Sequence, residues 1–152
     1  MKTYTLERRQ WVPRPLPEVF DFFSRAENLQ RLTPPWMNFR ILTPLPIAMA
    51  PGALIDYALR VHGLPVRWRT KIEAWAPPHS FVDTQLRGPY RLWHHTHTFE
   101  ESNGGTLITD LVRYALPFGF LGQIAHALMV SRDLNQIFEY RAKVVGELFP
   151  AA

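Results

Sequence analysis

Along residues 66–74, VRWRTKIEA, apolar and charged positions alternate: Val66, Trp68, Thr70 and Ile72 fall on one face, and Arg67, Arg69, Lys71 and Glu73 on the other. A strand with one buried face reads this way. The preceding ALIDYALRV does the same with Ile55, Tyr57, Leu59 and Val61. Folding the two about the turn His62-Gly63-Leu64-Pro65 sets Val61 opposite Val66, Leu59 opposite Trp68, Tyr57 opposite Thr70 and Ile55 opposite Ile72, so the apolar faces coincide. Two more hairpins follow. SFVDTQLR turns at Gly88-Pro89-Tyr90 into RLWHHTHTFEE, which turns through SNGG into TLITDLVRYAL, Asn-Gly supplying the positive φ angles of a tight hairpin.

Upstream, YTLERRQWV predicts a first strand, ended by Pro13, Pro15 and Pro17, which also pre-set a helix start. Val19, Phe22 and Phe23 predict a short amphipathic helix over 16–23, and Ser24 with Glu27 predicts a capping box opening a second short helix, RAENLQRL. Phe39–Thr43 predicts a strand before the Pro-rich loop PLPIAMAPG. From Gly119 to Phe149, apolar residues recur at Leu121, Ile124, Ala125, Leu128, Met129, Ile137, Phe138, Val144, Val145 and Leu148, predicting one long amphipathic helix. The order β-α-α-β-β-β-β-β-β-α predicts an α+β protein: a curved antiparallel sheet of about six to seven strands, buried on one face, with the last helix as its cover.

Composition narrows the classes. A chain of 152 residues suits one domain spanning 1–152, and 47% apolar with 20% charged residues excludes a disordered chain. The net charge is +4, but Lys and Arg are spread rather than grouped, so a solvated face is expected and no nucleic-acid partner. The absence of Cys removes disulfides and thiol chemistry. MKTYTLERRQW lacks a signal-type apolar run and no segment reaches the ~18 apolar residues of a membrane span, so a cytoplasmic location is expected. Nothing in the pattern fixes an oligomeric state.

The chemistry gathers in WHHTHTF, residues 93–99. Folding about Asn103-Gly104 sets Phe99 opposite Ile108, His97 opposite Asp110, His95 opposite Val112 and Trp93 opposite Tyr114, leaving His94 with Arg113 on the other face. The turn Gly88-Pro89-Tyr90 sets Gln85 opposite Trp93, Asp83 opposite His95 and Phe81 opposite His97. One inward face then holds Asp83, Gln85, His95, His97 and Asp110 among aromatic rings. Buried polar groups cost several kcal/mol unless hydrogen-bonded, so the pattern predicts a cavity with water or ligand beneath the helix. Its candidate ligand-binding residues are Tyr57, Trp68, Gln85, Trp93, His95, His97, Phe99 and Tyr114, with Leu128 from the helix. Gly122, Ala125 and Ala127 either leave space under that helix or permit close packing.

His97, Asp110 and Asp83 are the candidates for catalysis, His97 acting as acid or base with Asp110 as orienter. The alternative is a satisfied structural hydrogen bond. For a metal, His95 and His97 require Asp83 or Asp110 as a third ligand. Without a cysteine or an HExxH helix no metal or cofactor is assigned. No Gly-x-Ser-x-Gly elbow is present, so a nucleophilic serine is not expected. In RDLNQIFEYR, Ile137 and Phe138 are expected on the sheet, with Arg132 and Arg141 toward solvent or acidic neighbours such as Asp133.

The stretches PEVFDFF, GPYRLWHHTHTF, TLITDLVRYALPFG and RDLNQIFEYR resemble the SRPBCC superfamily, which holds START lipid-transfer domains, plant pathogenesis-related allergens, polyketide cyclases and coenzyme Q-binding proteins. Within it they resemble the bacterial branch labelled cell division inhibitor-like, which also occurs fused to sugar-epimerase-like domains. The resemblance covers nearly the whole chain. It implies a helix-grip fold with an apolar cavity between sheet and helix, and a hydrophobic or aromatic small molecule (lipid-, quinone- or polyketide-like) as partner. The alternative it implies is a cyclase, dehydratase or hydrolase using a cavity His–Asp pair.

Overall fold

In the computed structural model, which describes residues 1–151, Asn103 and Gly104 take φ of 49° and 78° and join two strands in a tight hairpin. These are β6 (Leu92–Ser102) and β7 (Gly105–Ala115), registered as the alternation predicts, with His97 opposite Asp110 and His95 opposite Val112. β5 (Ser80–Arg87) also takes its predicted register, Phe81 opposite His97 and Asp83 opposite His95. With β1 (Tyr4–Val12), β2 (Arg40–Ile41), β3 (Leu54–Val61) and β4 (Leu64–Ala76), they form one antiparallel sheet ordered β1-β7-β6-β5-β4-β3-β2.

The β3–β4 register differs from expectation by two residues. His62 and Gly63 alone make the turn, with φ of 50° and 79°, so Leu64 and Pro65 belong to the strand and Tyr57 lies opposite Trp68, Ile55 opposite Thr70. A slip of two keeps every side chain on its face, whereas a slip of one would have inverted them all. A bulge in β4 between Ile72 and Ala74 then changes the parity, so that Trp75 as well as Ile72 packs inward.

α1 (Leu16–Phe23) starts on Pro15 and buries Leu16, Val19 and Phe20. Ser24 ends it by bonding the Asp21 carbonyl, so the expected capping box does not form. The second helix splits into a 3₁₀ turn, Ala26–Asn28, and a single α turn, α2 (Leu29–Leu32). The predicted strand over 39–43 contracts to β2.

The C-terminal helix runs continuously from Gly119 to Leu148 as α3 (Gly119–Ala125), a π turn (His126–Val130) and α4 (Ser131–Leu148). α4 buries Leu134, Phe138 and Val145. Leu134 and Phe138 pack with Val112 and Tyr114, while Val145 joins Val12, Val19, Phe20, Phe99 and Ile108. The first half differs from expectation. Leu121, Ile124 and Leu128 are 59%, 50% and 77% exposed, so they do not face the sheet. Gly122 does face inward, but a Cβ there would lie 2.2 Å from the Pro117 carbonyl oxygen. Its small size permits the close approach of the helix to the preceding Leu116-Pro117 segment. No helix among the described residues is long and apolar enough to cross a membrane.

Candidate functional site

β6 projects His95 and His97 to the inner face, and both are 5% exposed. β5 and β7 flank them with Asp83 and Asp110. Each histidine bonds the diagonal carboxylate rather than the one directly opposite. His95 Nε2 lies 2.8 Å from Asp110 Oδ1, and His97 Nε2 lies 2.6 Å from Asp83 Oδ2. The direct partners stand further off, His97 Nδ1 at 3.4 Å from Asp110 Oδ1 and His95 Nδ1 at 3.9 Å from Asp83 Oδ2. The imidazoles stack on one another with centroids 3.7 Å apart, and Phe81 stacks on the far side of His97 at 4.1 Å. Arg141 Nη2, from α4, reaches Asp110 Oδ1 at 3.5 Å.

The protonation of the two histidines diverges. For His97, burial disfavours the imidazolium, but the Asp110 and Asp83 carboxylates together outweigh burial and hold its pKa above the ordinary value. For His95, burial and the neighbouring His97 charge outweigh Asp110 and Asp83, and its pKa falls. Burial would raise Asp110, yet Arg141 and the two histidines keep it well below the carboxylate range. Asp83 is lowered too, its own burial being outweighed by the His97 bond and the His95, His97 and Arg141 charges. The buried cluster therefore favours Asp83⁻, Asp110⁻, Arg141⁺ and a His97 inclined to hold its proton, with His95 neutral.

Beside it stands a wall of rings. Trp68 meets Trp93 edge-on at 5.3 Å and Tyr90 at 5.6 Å, Tyr90 lies 4.9 Å from Trp93, and Tyr57 stacks toward Trp68 at 6.1 Å. Tyr57 also hydrogen-bonds Thr70, and burial pushes its phenol pKa up. Tyr114 is buried and bonds His126 of the π turn at 2.7 Å. Trp68 Nε1 and His97 Nδ1 are buried without hydrogen-bond partners.

Three expected lining residues are placed otherwise. Leu128 points to solvent because the two halves of the helix present apolar stripes in different directions. Gln85 folds back on its own turn, donating to the Tyr90 carbonyl at 2.7 Å and accepting from the Tyr90 N–H at 3.0 Å. Phe99, 1% exposed, is a core residue under α1. A cleft of about 180 Å³ does separate sheet from helix, but it lies toward β1, between Arg8, Gln10, Ile108 and Asp110 on one side and Phe138, Arg141 and Val145 on the other. Of the expected site residues Asp110 borders it. Arg141 was expected toward solvent or an acidic neighbour such as Asp133; it turns inward and takes Asp110 as that neighbour. Its spacing from Leu134, Phe138 and Val145 is the helical signal that places it inward. Tyr90, in a turn, offered no periodic signal.

A sheet wrapped on a long C-terminal helix, with short helices after the first strand, is the helix-grip architecture. The sequence pattern of the "Polyketide cyclase / dehydrase and lipid transport" family matches residues 12–141, and the chain belongs to that family. No curated protein sequence matches it. Solved structures share the fold at low identity. TTHA0849 from Thermus thermophilus is 16% identical with a TM-score of 0.75, covering 95% of each chain. Ginseng major latex-like protein 151 from Panax ginseng is 9% identical with a TM-score of 0.71, covering 98% of this chain and 99% of that one. A nucleoside-diphosphate sugar epimerase from Corynebacterium glutamicum matches 93% of this chain over 28% of its own length, at 24% identity and a TM-score of 0.70.

Proposed function

We propose that this protein binds a hydrophobic or aromatic small molecule against the ring wall of Tyr57, Trp68, Tyr90 and Trp93, with the His–Asp cluster orienting it. One observation carries the reading: Trp68 Nε1 is a buried donor with no partner, set among half-buried rings on the inner face. An unmet donor in an apolar wall costs free energy unless a ligand or water accepts from it, and few polar groups among many rings is how apolar ligands are usually held. Membership of a family described by lipid transport and polyketide cyclisation agrees with a hydrophobic occupant. The likeness to one segment of the epimerase agrees with the branch named above, although a role in cell division has no support in these residues.

Native mass spectrometry of protein purified from its own organism, followed by extraction, identifies the occupant. Trp68→Phe, which keeps the ring and deletes the donor, should weaken retention about tenfold, as for one hydrogen bond. His97→Phe should keep the fold and impair binding. Unchanged affinity in both would refute the reading. A second reading, a dehydratase or cyclase, is favoured by the raised His97 pKa between two carboxylates. A protonated imidazole could release its proton to a leaving hydroxyl while Asp83 accepts one from carbon. In that case Asp110→Asn would spare binding and suppress turnover.

A further inference from the structure

We propose that Asp83, His95 and His97 form a binding site for a divalent first-row transition cation of zinc or ferrous-iron chemistry, with Asp110 and Arg141 fixing the histidines from behind. The inference concerns the cluster alone and does not depend on a hydrophobic ligand.

The donors converge. Candidate ligand atoms of Asp83, His95 and His97 all lie within 4.8 Å of one another. Residues 95 and 97 share a strand face, and Asp83 sits directly opposite His95 on the next strand. A cation about 2.0–2.2 Å from each donor needs those donors roughly 3 Å apart. Asp83 Oδ2 is already 2.6 Å from His97 Nε2 and 3.9 Å from His95 Nδ1, so a cation enters by opening the Asp83–His97 contact and turning the two stacked rings toward it.

The second observation is what stands behind the ligands. The remaining nitrogen of each ring turns to one carboxylate, His95 Nε2 at 2.8 Å and His97 Nδ1 at 3.4 Å from Asp110 Oδ1, and Arg141 approaches that same oxygen. Metal-ligating histidines generally give their second N–H to a carboxylate, which fixes tautomer and ring orientation. The third is the unpartnered His97 Nδ1 on a side chain only 6% exposed. With Nε2 on a cation, the ring's proton belongs on Nδ1 and Asp110 is its acceptor.

Donor chemistry selects the cation. Two imidazoles and a carboxylate suit zinc or ferrous iron, whereas calcium and magnesium prefer all-oxygen sets and Cu(I) prefers sulfur. Asp83 keeps 17% of its side chain exposed against 6% for each histidine, so it is the ligand most open to an entering ion. Three protein ligands leave a position open for water or for an oxygen of a bound molecule.

The test uses the full chain, stripped with chelator and titrated with Zn²⁺ or Co²⁺ alone. Expected are a 1:1 calorimetric isotherm, a raised thermal midpoint, visible absorption from Co²⁺ of low coordination number, and Zn²⁺-dependent shifts of the His95 and His97 ring nitrogens in NMR. Asp83→Asn should abolish the isotherm, and Asp110→Asn should weaken it about 10–100-fold. His94→Gln, on the opposite face, should leave it unchanged. The NMR experiment needs no variant, so a misfolded mutant cannot obscure the answer. No stoichiometric binding, or ring shifts confined to His62, His79, His94 or His126, would overturn the proposal.

Discussion

Asp110 accepts from His95 at 2.8 Å, faces His97 at 3.4 Å and draws Arg141 inward from α4. One oxygen thus faces three nitrogens, and the two histidines, stacked at 3.7 Å, cannot both hold a charge cheaply. In metal-free protein, NMR titration of the ring nitrogens should give His97 a midpoint above about 6.5 and His95 one below it. Asp110→Asn should lower the His97 midpoint, because Asp110 is foremost among the groups that raise it. The same change leaves buried donors unsatisfied and should cost roughly 1–3 kcal/mol by urea denaturation. An unmoved His97 midpoint would show that Asp83 alone governs it.

The C-terminal helix makes one continuous element of two unlike halves. The Ser131 N–H bonds the His126 carbonyl, five residues back, so the π turn adds a residue and shifts the helical phase. After it, Leu134 and Phe138 meet the sheet. Before and within it, Gly122 and His126 face inward, His126 stacking on Tyr4 at 3.5 Å, while Leu121, Ile124 and Leu128 face out. Phe138→Ala should therefore cost about 3–5 kcal/mol. Leu128→Ala should stay within about 0.5 kcal/mol. Thermal or urea unfolding compares them, and similar losses in both would mean that the first half also packs on the sheet.

At the scale of the molecule the cluster links stability to pH. Asp83 and Asp110 have lowered native pKa values, so their contribution is present above about pH 4 and is lost as pH falls through the native values. His95 is lowered, so its contribution is present above about pH 6.5 and declines on acidification below it. His97 is raised, so its contribution is present below about pH 6.5 and is lost as pH rises through its native value. The urea midpoint should accordingly rise as pH is lowered from the alkaline side toward about 6.5, then fall with further acidification. His97→Phe should remove the alkaline-side decline. Its persistence in that variant would assign the decline to another group.

What the sequence determined is what local rules govern. The period of two fixed which residues of β4, β5, β6 and β7 share the inner face, and Asn103-Gly104 set the β6–β7 register residue by residue. That sufficed to bring Asp83, His95, His97 and Asp110 together on paper. Even the misplaced β3–β4 turn left the faces intact, since the error was an even number of residues. The tertiary structure decided which members of that group touch. Twisted strands bring diagonal neighbours within reach of long side chains, so His95 and His97 exchanged the carboxylates that simple opposition had given them. It also turned Arg141 inward and Leu128 outward, because a π turn changes the facing of a helix without changing its apolar composition. Strand facing follows from bonds along the chain, but side-chain pairing and helix rotation depend on atoms that only the assembled fold brings within a few ångströms.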